Sequence, residues 1–508
     1  MIYLIHENNN ALKVLNSEFV EVPFSIDASI TKTLFKIAEA FPNDTIIWCH
    51  QTYQAFINSS VLNAIFHHQN ILASYSVSHK YYIPDSIGYI DQSVFLNVKK
   101  DVTYPTWLMS SDVGGVSTGL LNSVAKSLNH TDAFEYFLNS LAKAGMIQGV
   151  FCYSEPALLN QNVQPIVETK QASNIQLFKF VKEHYKWVWV YMLAFCFAIY
   201  ERKLKIIPLI NTFFQKRLLL SLKEFDYQSK NIVVTKKEID VIIPTIGRTT
   251  YLHDVLKDLA TQSVLPKNVI IIEQNPLPDS VSELDFITTE NWPFNIKHTF
   301  TNQTGVCNAR NLALNQIESE WVFLNDDDNR FNKNLIESVF KTINKFDVLA
   351  ITTAYLQENE SLLFTKMHQT GIFGSGNSFV KASCLKNIRF DMALEFGYGE
   401  DFDFGMQLRN EGVDVVYCPY IRITHLKAPF GGFRTEVKQL WDNNAVQPKP
   451  SPTIMYTFLK HYTKKQLLNY KLVLFLRLIK KESIFNYWSF YKNFQKKWQA
   501  SIFWAKKL

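Results

Sequence analysis

Residues 321–329, Trp-Val-Phe-Leu-Asn-Asp-Asp-Asp-Asn, join an apolar, β-prone run to three consecutive carboxylates, Asp326, Asp327 and Asp328. A buried strand with that ending delivers acids to the rim of a sheet, where α/β proteins bind ligands. Adjacent carboxylates repel, so solvent, basic groups or a divalent cation must offset them. Hard oxygen donors suit Mg²⁺ or Mn²⁺, ions that usually also hold phosphates. Taken alone, the motif reads equally well as a solvated acidic turn. A second acidic group, Glu400-Asp401-Phe402-Asp403, follows Gly397-Tyr398-Gly399 at a predicted helix start. The helix macrodipole favours acids in a first turn, with or without chemistry. His425 comes after a strand predicted over 413–418, and an imidazole there can serve as a ligand or pack as an ordinary side chain.

These groups need elements to position them. The run 240–245 predicts a strand that ends in the loop Ile246-Gly247-Arg248, followed by a helix over about 251–262. The run 268–273 predicts a second strand ending in Glu273, an acid that can accept hydrogen bonds from a nucleobase or ribose. Residues 301–311 supply Gly305, several amides and Arg310 ahead of a helix that continues through Ile317. Arg310 could neutralise the aspartates or contact a phosphate. Residues 371–378 form a glycine-rich turn, which lets backbone approach a ligand closely. Strands alternating with helices predict an α/β fold with a mostly parallel sheet and a ligand crevice at its carboxyl edge.

The order of these pieces is more specific than any one of them. Pro244-Thr245-x-Gly247-Arg248 comes first, then strand–Glu273 and Asn302-x-x-Gly305-x-x-x-Ala309-Arg310-Asn311. Strand–Asp326-Asp327-Asp328, Gly374-x-Gly376-Asn377, Gly399-Glu400-Asp401-x-Asp403 and His425 follow. This set resembles the catalytic domain of glycosyltransferase family 2, with its GT-A fold, over residues 240 to about 434. The resemblance implies an inverting, metal-assisted transfer from a nucleotide sugar, a UDP-sugar first among them, to a hydroxyl of a glycan or lipid-linked acceptor. It implies that Pro244, Thr245, Arg248, Glu273, Arg310 and Asp326 bind the donor nucleotide. Asp326, Asp328 and His425 would hold Mn²⁺ or Mg²⁺. Asp401, paired with Glu400, would be the general base, and Gly374, Ser375, Gly376 and Asn377 would border the acceptor. Asn325 departs from relatives that carry another acid there. A non-catalytic nucleotide-sugar or glycan-binding protein keeps the fold but has no need of intact Asp326, Asp328 and Asp401. A nucleotidyltransferase usually has a basic, glycine-rich loop after its first strand, for which Ile246-Gly247-Arg248 is a poor match.

Length and composition frame the rest. A chain of 508 residues with ordinary apolar content predicts two or three globular domains. Four segments are expected: an α/β domain over 1–165, a helical aromatic linker over 166–237, the GT-A domain over 238–435, and a basic amphipathic tail over 436–508. The first segment echoes the third. Residues 44–51 match 320–327, residues 141–145 and 150–152 match 408–412 and 416–418, and Gly114-Gly115 match the 374–376 turn. Ala133-Phe134 then fall against Glu400-Asp401, which predicts a degenerate GT-A-like module without metal ligands or base. A chance likeness of two α/β patterns is the competing account.

The uncharged run 187–200 is 14 residues long, short of the roughly 20 that span a bilayer. It is expected to bridge domains or touch a membrane interface. Net charge is +6, yet residues 451–508 alone hold 12 Lys and Arg against Glu482, interleaved with aromatics. That tail either lies on the anionic cytoplasmic leaflet or packs on the protein as amphipathic helices. No nucleic-acid-binding module is visible. Six scattered cysteines without zinc-ligand spacing, and an N-terminus that reads as a strand over 2–5, predict a cytoplasmic protein, peripheral at most on a membrane.

Overall fold

The computed structural model describes residues 1–508 apart from 28, 129–132, 161–162, 223–227, 430–437 and 481–485. The expected boundary at 435, and Glu482 of the tail, lie outside the described residues. The chain forms two compact units. The first comprises residues 1–231 with 366–369 and 463–469, and the second holds the remainder. Most of the segment expected as a linker therefore belongs to the first unit. Helix Asn174–His184 explains why, because it starts with a Ser173–Gln176 capping box and buries Leu177, Phe178, Phe180 and Val181.

The second unit is built on one sheet. Its strands run in the order Asn295–Thr301, Asn268–Gln274, Ile239–Thr245, Trp321–Asn325, Asn377–Lys381, Ala350–Leu356, Val415–His425 and Asn329–Arg330. The first four are mutually parallel. Val241, Ile242, Ile243, Val269, Ile270, Ile271 and Ile272 are all fully buried, as continuous apolar strands covered on both faces must be. The expectation of a mostly parallel sheet needs correction to a mixed one. Asn377–Lys381 is antiparallel to both of its neighbours, Trp321–Asn325 and Ala350–Leu356. Phe323 and Phe379 face each other there with rings stacked 4.1 Å apart, which rewards that register. Helix Leu335–Phe346 shows the covering logic. Leu335, Ile336, Val339, Phe340 and Ile343 recur at helical spacing and are buried, and Asp347 stops the helix in a left-handed conformation.

The first unit carries a seven-stranded mixed sheet in the order Asn10–Leu15, Ile2–Glu7, Thr45–His50, Val113–Ser117, Ile71–Tyr75, Phe151–Ser154 and Tyr104–Pro105. With Asn10–Leu15 and Tyr104–Pro105 set aside in this sheet, and Asn295–Thr301, Asn268–Gln274 and Asn329–Arg330 in the other, the two sheets have one topology. In each, five strands lie in the spatial order first, second, fourth, third, fifth, paired parallel, antiparallel, antiparallel, parallel. The registers refine the sequence match. Cys49 faces Val113 as Asn325 faces Asn377, so residues 110–112, and not Gly114-Gly115, correspond to the 374–376 turn. Gly114 and Gly115 are strand glycines, because a Cβ on them would overlap Trp48 and Phe66.

Candidate active site

Every sequence-predicted site residue lies in the second unit, at or near the carboxyl ends of its parallel strands. Trp321–Asn325 ends in the three aspartates, and successive residues there point different ways. Asp327 turns inward and is 2% exposed. It accepts hydrogen bonds from Thr245 Oγ1 and Arg248 Nη1, both at 2.7 Å, which ties the end of the Ile239–Thr245 strand to the aspartate tip. Asp328 accepts from the Ala428 N–H at 2.9 Å and lies 3.4 Å from Arg248 and 3.5 Å from His425 Nε2. Burial works to raise its pKa, but His425, the Ala428 N–H and Arg248 outweigh burial and hold the carboxyl below its usual range.

Asp326 points to the other side. Its Oδ1 accepts from Arg310 Nη2 at 2.9 Å and its Oδ2 from the Tyr355 hydroxyl at 3.2 Å. A Cβ on Gly376 would overlap the Asp326 carboxylate, so the glycine-rich turn abuts the aspartate tip because it has no side chain there. The same turn meets the second acidic group, since Ser375 donates its N–H to Asp401 Oδ1 at 3.0 Å and its hydroxyl to the same oxygen. Ser375 and Asn377 are themselves buried, and Asn377 Nδ2 donates to the Thr353 carbonyl at 2.7 Å.

Arg310 connects the two acidic groups. It is 5% exposed, lies over the Phe390 ring at 5.4 Å, and feels the charges of Asp326, Asp401 and Glu400 together. Burial alone would lower its pKa, and those three carboxylates raise it instead. Its helix, Val306–Leu314, begins at Gly305 with φ 134°, where a Cβ would collide with Glu395. Glu395 accepts from the N–H groups of Cys307 at 3.1 Å and Asn308 at 2.7 Å, a charged cap on a helix N-terminus. Helix Glu400–Asn410 likewise opens at a left-handed glycine, Gly399, and puts Glu400 and Asp401 in its first turn. Burial and the neighbouring Asp401 charge push Glu400 up to about 7. Burial also raises Asp401, against the pull of Arg310 and the Ser375 hydrogen bonds.

Glu273 is 5% exposed, and its oxygens accept from the Glu283 N–H at 2.9 Å and from His298 Nε2 at 2.8 Å. Pro244 lies beside Ile272 in the parallel register. A cleft of about 290 Å³ opens beside His425, lined by residues 357–360 and 424–426.

The sequence assigned no role to three participants. Tyr355, the penultimate residue of its strand, bridges Asp326 and Asn329 and stacks on His425 at 4.5 Å. Asn329 is fully buried and donates to the Gly376 carbonyl at 2.7 Å. Asp403 is held by His461 Nε2 at 2.6 Å and Lys460 Nζ at 2.7 Å, which ties helix Pro452–His461 to the helix that carries Asp401. A polar side chain near the carboxyl end of a strand was the available signal for Tyr355. Asp403 stands in the Gly399–Asp403 motif, but the motif does not show its partners, which lie 57 and 58 residues downstream.

The expected three-ligand metal set is only partly assembled. Among the described residues no three His, Cys, Asp or Glu side chains converge as a closed metal group. Asp328 and His425 adjoin, whereas Asp326 is engaged by Arg310 and Tyr355. One carboxylate and one imidazole still fit Mn²⁺ or Mg²⁺, ions that take much of their coordination from water and substrate phosphates.

Residues 240–399 match the family described as Glycosyl transferase family 2. This stretch is a glycosyl transferase family 2 domain. It holds the aspartate tip, Arg310 and the glycine-rich turn, and its match ends one residue before Glu400. The minor teichoic acid biosynthesis protein GgaB of Bacillus subtilis is 24% identical over 178 residues, 32% of this chain and 20% of that protein. An uncharacterized glycosyltransferase of Rickettsia conorii is 27% identical over 147 residues, 29% of this chain and 24% of that one. The chain thus spans about a quarter or less of the length of these curated relatives. Among solved structures, S. aureus TarS 1-349 in complex with UDP-GlcNAc is 17% identical with a TM-score of 0.35, over 52% of this chain and 79% of that one. GalNAc-T7 with UDP, GalNAc and Mn²⁺ is 13% identical with a TM-score of 0.35, over 51% of this chain and 54% of that one.

Proposed function

We propose that the second unit is an inverting glycosyltransferase that moves a sugar from a nucleoside-diphosphate donor to a hydroxyl of a glycan or lipid-linked acceptor. The observation that carries this reading is Arg310, which draws the aspartate tip and the Glu400–Asp401 corner to one place. The acceptor oxygen attacks the anomeric carbon as the bond from that carbon to the diphosphate oxygen breaks. The hydroxyl proton passes to Asp401, and the nucleoside diphosphate leaves with the electron pair. Asp401 suits a base because it is fixed by Ser375 yet still partly exposed, and its raised pKa makes it a stronger proton acceptor than a free aspartate. Thr245, Arg248 and Asp327 form a rigid floor for the donor nucleotide, with Glu273 at the neighbouring strand end. Asp328 and His425 would hold a divalent cation, which when bound supplies Lewis-acid stabilisation of the leaving diphosphate.

Incubation with a panel of nucleotide sugars, UDP-sugars first, is expected to release nucleoside diphosphate in the presence of Mn²⁺ or Mg²⁺. A chelator should abolish that release, and added Mn²⁺ should restore it. Release of pyrophosphate would indicate nucleotidyl transfer, and donor binding without turnover would indicate a binding protein. The name of the Bacillus relative makes teichoic acids a first acceptor class to include. Gly376→Ala should displace Asp326 and lower kcat/KM about tenfold to a hundredfold, with the far-UV circular dichroism unchanged. Wild-type turnover in that variant would separate Asp326 from the reaction.

We also infer that the first unit is a non-catalytic copy of the same fold. The shared strand order supports this, and at the matched strand end Cys49-His50-Gln51 stands where the second unit has Asn325-Asp326-Asp327. One feature persists, because Ser111 donates to Glu135 at 3.1 Å much as Ser375 donates to Asp401. Titration calorimetry should find a single nucleotide-sugar site per chain, lost in Asp328→Asn. A second site surviving that change would mean that the first unit binds donor.

A further inference from the structure

Helix Val188–Tyr200 has no charged residue, and only half of it is covered. Val190, Leu193, Cys196 and Phe197 pack inward, with Phe197 stacked on Phe178 at 6.2 Å. The opposite stripe, Val188, Tyr191, Phe195 and Ile199, recurs every three or four residues and is exposed. A helix that is apolar all round belongs in a core or against lipid, so an open stripe of this kind lacks its covering.

The chain after this helix continues the same face. Helix Ile206–Asn211 packs on it and on Asn174–His184, yet buries no residue of its own. Leu204, Ile207 and Phe214 are 77%, 70% and 81% exposed. Apolar surface that extends over successive elements marks a docking face.

Charge identifies the partner. Between Lys186 and Leu222 the basic residues are Lys186, Arg202, Lys203, Lys205, Lys216 and Arg217, and Glu201 is the sole acid. Five of the six basic residues are exposed, and Glu201 lies 3.5 Å from Lys203. Trp187, 67% exposed at the start of the helix, adds an aromatic side chain suited to a headgroup region. A basic rim around exposed aliphatic and aromatic side chains complements an anionic lipid surface, in which the apolar side chains enter the acyl boundary and the cations meet headgroups.

We propose that the face formed by residues 187–219 docks the first unit on the surface of an anionic phospholipid bilayer. It lies in the interface and does not cross. At about 1.5 Å per residue the 13-residue helix is about 20 Å long, against a hydrocarbon core of about 30 Å. No helix among the described residues is long and apolar enough to span.

The C-terminal helices offer a weaker face. Phe475, Phe494 and Trp498 pack on neighbouring rings of the same helices, and Phe494 and Trp498 are buried.

The test is co-sedimentation of the full chain with phosphatidylcholine vesicles containing about one-third phosphatidylglycerol. The wild-type chain should bind, and more weakly at high salt or on pure phosphatidylcholine. The double variant Ile207→Ser, Phe214→Ser changes only exposed side chains and should lower partitioning at least tenfold. Arg217→Glu with Lys203→Glu should restrict the remaining binding to salt-insensitive contact. Trp488→Ser with Tyr491→Ser in the tail should bind as the wild type does. Failure of the wild type to bind would overturn the proposal, as would wild-type binding by the first double variant or loss confined to the tail variant. A wild-type dimer in sedimentation velocity that the first variant dissociates would assign the face to a second copy of the chain and equally overturn it.

Discussion

Asp401→Asn is expected to lower kcat about a hundredfold to ten-thousandfold while leaving the donor dissociation constant unchanged. The substituted amide still offers Oδ1 to the Ser375 N–H and hydroxyl, so the turn and the helix start keep their geometry. What disappears is the ability to take a proton. The pH profile supplies a second readout. Burial raises both carboxyls of the Glu400–Asp401 pair, with Glu400 at about 7, so activity should rise with pH as the pair loses its protons. Stability runs the opposite way. A carboxyl whose folded pKa is raised favours the folded state while protonated, and that contribution is lost as pH climbs from its unfolded value of 4.5 through about 7. Glu400→Gln should therefore melt close to the wild type at pH 5 and above it at pH 8, by about 2–4 °C for each kcal/mol recovered. Differential scanning calorimetry at the two pH values reads this directly. An Asp401→Asn enzyme with wild-type turnover would remove Asp401 from the base role, and a Glu400→Gln chain that gains nothing at pH 8 would show that the pair carries no ionisation cost.

How far the site could be read beforehand follows from where each constraint lies along the chain. The aspartate tip was legible because a strand has period two and an apolar run that ends in acids has one sensible place in a sheet. Helix Glu400–Asn410 and the strands Ile239–Thr245, Asn268–Gln274 and Trp321–Asn325 were legible for the same local reasons. The division of labour among the aspartates was not. Asp327 faces Thr245 and Arg248, about 80 residues upstream, and only the assembled sheet shows that it is structural floor, while the equally buried Asp328 faces His425 and Asp326 faces Arg310. Strand Asn295–Thr301 was missed because it is an edge strand with half-exposed side chains and no clean alternation. The antiparallel insertion of Asn377–Lys381 was missed because its pairing is fixed by partners 52–60 residues before it and 26–30 residues before it, and neither is encoded in the strand itself. The internal echo was legible in outline, yet glycines misled the register. Gly114 and Gly115 make room for rings inside a sheet, whereas Gly376 makes room for a carboxylate at its rim.

Arg310→Met is expected to cost about 3–5 kcal/mol of stability at pH 8, the usual penalty for removing one partner of a buried ionic group. The methionine fills similar space against Phe390 but leaves Asp326, Glu400 and Asp401 without the cation that offsets all three. Those carboxylates must then stay ionised without compensation or take up protons. The loss should accordingly shrink as pH falls toward 5, where protonation relieves the repulsion that Arg310 otherwise balances. Urea unfolding of the full chain at pH 8 and pH 5 separates this from a packing defect, which would cost the same at both. Arg310→Lys keeps the charge but loses the planar fork that reaches Asp326 while facing Glu400 and Asp401. It should recover most of the pH 8 stability without recovering turnover, because a point charge cannot hold the two acidic groups in register. A pH-independent loss in Arg310→Met, or full activity in Arg310→Lys, would mean that the aspartate tip and the Glu400–Asp401 corner meet without needing the arginine between them.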